Sequence, residues 1–118
     1  SLARELGPYG ITANALLPGA TFTEIERKTV SPAQKERIVA MQCVARPETP
    51  EDLVGTVLFL ASPESAFLTG QSITVDGGCL AAGGWYRTPT RWVNSPLLLQ
   101  WFEDDPEAAA ANRPPTLR

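Results

Sequence analysis

The run ITANALLPG, Ile11 to Gly19, most constrains what this chain can fold into. Ile11, Ala13, Ala15 and Leu17 alternate with Thr12, Asn14 and Leu16, so one face is apolar throughout and the other still carries a leucine. That pattern predicts a strand covered on both faces, as in a parallel sheet. Pro18 lacks the main-chain donor that a ladder requires, and Gly19 accepts backbone angles that other residues avoid, so the strand must end there in a sharp turn. In open α/β sheets the carboxyl ends of the strands are where ligands bind.

A second strand is predicted in GQSITVDGG, where Ile73 and Val75 share one face and Ser72, Thr74 and Asp76 the other. Between the two strands lie three helix starts. Thr23 with Glu26 three residues on matches a capping box. Ser31-Pro32-Ala33-Gln34 repeats that signal with proline at the first helical position, and Ile38 and Met41 then form a short apolar face. Thr49-Pro50-Glu51-Asp52 leads into Leu53, Val54, Val57, Leu58 and Ala61, the stripe of a helix packed on a core, which Ser62-Pro63 ends. Ahead of the first strand, SLAREL has the face of a helix already under way, and Gly7-Pro8 is its stop signal. Six residues are too few to hold a helix alone, so the start reads as mid-helix.

Strands separated by helical segments predict a parallel α/β arrangement. Two strands make no stable sheet, so the chain is expected to be incomplete as a domain, with a neighbour of the first strand lying outside it. Residues 1–78 form this part. Residues 79–118 differ in composition: all three tryptophans, Trp85, Trp92 and Trp101, and five of the eleven prolines fall there. This Trp/Pro-rich extension is expected to form a surface strap or subunit contact, fraying in EAAAANRPPTLR.

The net charge of −3 argues against nucleic acid as a partner, because a nucleic-acid footprint is basic. Trp85-Tyr86-Arg87 and Arg91-Trp92 could stack single-stranded bases, but the four arginines of residues 79–118, with no lysine among them, make a weak funnel. With no histidine and two cysteines, Cys43 and Cys79, far apart, the chain offers no metal spacing and no His-based catalytic pair. Two free thiols fit a cytoplasmic protein. The apolar run PLLLQWF is far short of the ~20 residues that a membrane helix requires, and neither a signal peptide nor a membrane partner is expected.

With these elements placed, residues 1–78 resemble the carboxyl-terminal part of a short-chain dehydrogenase/reductase, a family that includes 3-oxoacyl-carrier-protein reductase. SLARELGPYGITANALLPG resembles the helix, strand and Pro-Gly turn that follow that family's catalytic Tyr and Lys. ARPETPEDLVGTVLFLAS and SAFLTGQSITVDGG resemble its last long helix and last strand. The resemblance implies a Rossmann-type doubly wound parallel sheet, of which this chain holds the last two strands, the lid helices and the last long helix. It implies NAD(P)(H) as cofactor and a small alcohol or carbonyl compound as substrate. Pro18, Gly19, Thr21 and Thr23 match the turn beside the nicotinamide, with Thr21 lending backbone groups to the carboxamide and Thr23 its hydroxyl to the pyrophosphate region. Residues 23–45 match the substrate lid, with Ile38 and Met41 facing substrate, and the last strand implies a homo-oligomer, dimer or tetramer.

The family's Gly-rich phosphate loop, catalytic Ser and Tyr-x-x-x-Lys have no counterpart in these residues, so no catalytic residue is assigned here and the chain alone is expected to be inactive. Plainer roles stand beside the functional ones. Thr23 can simply cap a helix, Asn14 can satisfy nearby backbone, and Asp76 can hold the Gly77-Gly78 turn. Ser1 has no His or Lys to activate it as a nucleophile. The competing function is a non-enzymatic interaction module that binds a partner through its open strand edge and Trp-rich tail.

Overall fold

The computed structural model describes residues 1–25, 30–95, 99, 100, 104 and 107. In chain order the elements are α1 (Leu2–Leu6), β1 (Ala15–Pro18), α2 (Pro32–Ala40), α3 (Glu51–Leu60), β2 (Ser72–Val75), β3 (Tyr86–Arg87) and β4 (Trp92–Val93). They fall into two compact units, Ser1–Glu26 with Pro47–Asp76, and Arg27–Arg46 with Gly77–Arg118.

In the first unit β1 and β2 pair in parallel, from Ala15 opposite Ser72 to Pro18 opposite Val75, as the order of strands and helices predicts. β1 is shorter than expected. Upstream of it the main chain is engaged by a loop instead of a ladder: Ala13 N donates to the Thr69 hydroxyl at 3.0 Å, and Gly70 N donates to Ala13 O at 2.8 Å. Asn14 completes that clamp, its amide donating to Leu68 O at 2.9 Å and accepting from Gln71 N at 3.1 Å, which is the backbone-satisfying role read for it. Leu17 is 41% exposed and Ile11 48%, so the strand is not covered on both faces; among the described residues β2 is its only ladder partner.

The Gly7-Pro8 stop also takes a different form. Gly7 keeps right-handed helical angles and opens a 3-10 turn, Gly7–Tyr9, into which Pro8 fits because the first residues of a helical turn need no donor. The left-handed residue that ends the segment is Gly10, at φ 73°. At the start of α3, Asp52 reaches back to accept from Thr49 N at 2.9 Å and from its hydroxyl at 3.3 Å. At its end the Ser62 hydroxyl donates to Phe59 O and that of Ser65 to Leu60 O, meeting carbonyls that a helix terminus leaves open. The apolar stripe of α3 is not buried: Val54, Val57 and Leu58 are 50–65% exposed, because a two-stranded sheet presents too little surface to cover them.

In the second unit α2 begins at Ser31 with a complete capping box, Gln34 N donating to the Ser31 hydroxyl at 3.2 Å and Ser31 N to Gln34 Oε1 at 2.8 Å. The earlier box expected at Thr23 rests on Glu26, which lies outside the described residues; the Thr23 hydroxyl donates to Ile25 O at 3.4 Å. Gly77 O receives both Cys43 N and Val44 N, at 2.8 and 2.9 Å. Cys43 and Cys79 are both free thiols. β3 and β4 form an antiparallel hairpin closed by Thr88, whose hydroxyl donates to Arg91 O at 2.6 Å and accepts from Arg91 N at 3.1 Å. The side chains of Val93 and Leu99 are buried. Most of EAAAANRPPTLR, with Trp101, lies outside the described residues. None of the described helices is long and apolar enough to cross a membrane.

Candidate functional site

The turn at the carboxyl end of β1 is built from main chain. Gly19 N donates to Val75 O at 2.9 Å, the last bond of the parallel pairing. The chain then zips onto a second partner: Thr21 forms a parallel bridge with Glu48, and Phe22 N donates to Glu48 O at 2.8 Å. Gly19 is required there. A Cβ on it would lie 2.5 Å from Glu48 Oε2 and 2.9 Å from both Cα and Cβ of Asp76, and the Asp76 main chain cannot rotate away. The resulting turn is bare backbone flanked by hydroxyls, with Pro18, Ala20 and Thr23 exposed.

The Thr21 hydroxyl lies 3.3 Å from Gly19 O and 3.4 Å from Glu48 Oε1. It has one proton, so it donates fully to only one of them at a time. Glu48 itself is 5% exposed, and its Oε2 is buried without a hydrogen-bond partner. Pro18, Gly19 and Thr21 therefore gather with Glu48 and Asp76 in one place. Thr23 is not drawn into that group; its hydroxyl faces Ile25 O.

The acidic residues Glu48 and Asp76 beside Gly19 suit a neutral or cationic group better than a phosphate, which wants cations.

Ile38, on α2, and Met41, its C-cap, come together as their spacing predicts. With Val30, Gln34, Arg37 and Tyr86 they line a cavity of about 350 Å³ within the second unit, in the size range of small-molecule sites. Arg37 donates to Gln100 Oε1 at 3.0 Å. Among the described residues no group of three or more His, Cys, Asp or Glu side chains gathers as a metal site would require.

Two contributors are invisible to sequence reasoning. Glu48 sits in a helix-start motif that Thr49 and Asp52 already explain, and nothing local marks its pairing with a turn 27 residues away. Tyr86 stands in the aromatic cluster read as a strap, and its place beside Met41 depends on the hairpin.

A family model described as enoyl-(acyl carrier protein) reductase matches residues 1–79. The chain is 44% identical over 79 residues to an L-rhamnose 1-dehydrogenase (NAD(P)(+)) of Azotobacter vinelandii, a match covering 66% of this chain and 31% of that protein. Its fold resembles that of a 3-oxoacyl-[acyl-carrier protein] reductase from Brucella melitensis, with TM-score 0.60 and 40% identity over 65% of this chain and 28% of that one. It also resembles a gluconate 5-dehydrogenase from Burkholderia cenocepacia in complex with NADP and tartrate, with TM-score 0.62 and 33% identity over 68% of this chain and 32% of that one. The chain spans about a third of the length of the relatives it matches. The family match ends at residue 79, so the β3–β4 hairpin lies beyond it.

Proposed function

The chain belongs to the short-chain dehydrogenase/reductase family, and from that membership we propose that it builds the nicotinamide side of an NAD(P)(H) site, together with the substrate lid, in an oxidoreductase that interconverts alcohols and carbonyls. The observation that carries this reading is Gly19: at the carboxyl end of a parallel strand, the space a side chain would need is already filled by Glu48 and Asp76, so no side chain can project from the turn there toward a ligand. The cofactor, when bound, supplies or accepts the hydride. Pro18 and Gly19 shape the turn, Thr21 offers backbone groups to the carboxamide, and the exposed Thr23 hydroxyl serves the pyrophosphate region by turning away from its long bond to Ile25 O. Ile38 and Met41, through the cavity they line, contact the substrate.

We assign no catalytic residue to this chain, and the reaction requires the family's Ser, Tyr and Lys from a longer polypeptide that carries this segment. The apolar face that Ile73 and Val75 give β2 favours self-association of that polypeptide.

The test has two parts. The 118-residue chain should show no turnover with a panel of alcohols and ketones, and measurable turnover from it alone overturns the assignment. In the complete polypeptide, Thr23→Val should raise the cofactor KM by an amount equivalent to about 1–3 kcal/mol, while Met41→Ala should change the substrate KM and leave cofactor binding nearly untouched. A Thr23→Val protein that melts lower but binds cofactor as before would show that the hydroxyl only holds the local turn.

A further inference from the structure

Glu48 is the one buried acidic side chain among the described residues, at 5% exposed. No ion pair reaches it there, its Oε2 has no partner, and its Oε1 has only the 3.4 Å bond from a Thr21 hydroxyl that Gly19 O also claims. Burying a carboxylate without a cation is costly, and a glutamine of the same shape would fill the space without that cost. Packing therefore does not explain an acid at this position. The carboxylate lies against the Gly19 main chain, close enough for its charge to act on a group resting on the turn.

We propose that Glu48 is a specificity-determining residue that favours the oxidised over the reduced dinucleotide, its unpaired carboxylate beneath the Gly19 turn supplying the negative charge that complements the cationic nicotinamide ring. The inference rests on the reading of that turn as the nicotinamide site. The oxidised ring carries a positive charge and the reduced ring carries none, so the charge of Glu48 acts on one form only. Its contacts with Thr21 and Phe22, by contrast, shape the turn for both forms equally.

Calorimetric titration of the complete polypeptide with NAD⁺, NADH, NADP⁺ and NADPH separates these roles without an activity measurement. Glu48→Gln should weaken binding of the oxidised form of the accepted nucleotide about five- to tenfold while the reduced form stays within about twofold. Glu48→Asp, which keeps the charge, should restore the parental ratio. Should Glu48→Gln not fold, Glu48→Ala removes the same charge and is read in the same way. Equal weakening of both forms, or no change in either, overturns the inference while leaving the nicotinamide site standing. Failure of the unaltered polypeptide to bind any of the four nucleotides overturns the site and the inference together.

Discussion

The two units hold their shape by different means. In the first, main chain meets main chain along β1 and β2 and again where Phe22 joins Glu48, while Val54, Val57, Leu58 and Phe67 remain exposed. In the second, side chains start and close the elements: the Ser31–Gln34 box starts α2, Thr88 closes the hairpin, and Val93 and Leu99 are buried. A backbone-held turn tolerates most side-chain changes but not an added atom where chains touch. A side-chain-held unit depends on particular hydroxyls and methyl groups, one at a time.

The strongest challenge to that contrast is Gly19→Ala in the complete polypeptide. The new Cβ meets the Asp76 backbone at 2.9 Å, so the substitution should cost about 1–3 kcal/mol of stability, read from the denaturation midpoint, and abolish measurable dinucleotide binding. An alanine protein of parental stability and affinity would mean that the turn is not held by close main-chain contact. Val75→Lys comes next. β2 has no second ladder partner among the described residues, and a lysine on its apolar face should shift the complete polypeptide to a lower mass in light scattering. An unchanged mass would place self-association elsewhere. Ser31→Ala has the smallest effect, about 1 kcal/mol from the lost cap, seen as faster amide exchange across Pro32–Ala40. If exchange there is unchanged, the second unit depends less on its side chains than the comparison holds.

Local patterns in the sequence were reliable guides to local structure. The Ser31 capping box, the start of α3 and the two strands all depend on residues within a few positions of one another or on a two-residue alternation. Features that depend on what covers a surface were not legible. The stripe on α3 has the spacing of a buried face, yet spacing encodes only which side chains point together, and two strands give that face nothing to pack against. β1 began late for a related reason: Ile11 to Asn14 has strand alternation, but Thr69 and Gly70 engage Ala13 in a loop.

By itself the sequence determined where the chain must turn, where α2 and α3 begin, that the strands run parallel, and to which family residues 1–79 belong. Only the tertiary structure decided that the Pro18-Gly19 turn closes over Glu48 and Asp76, and that Tyr86 completes a cavity with Ile38 and Met41. Turn and cap signals are written in neighbouring residues because backbone angles and first-turn donors are local quantities. The placing of a carboxylate under a glycine far away in the chain is set by how β1, β2 and the Glu48 segment pair, and no local pattern carries that pairing.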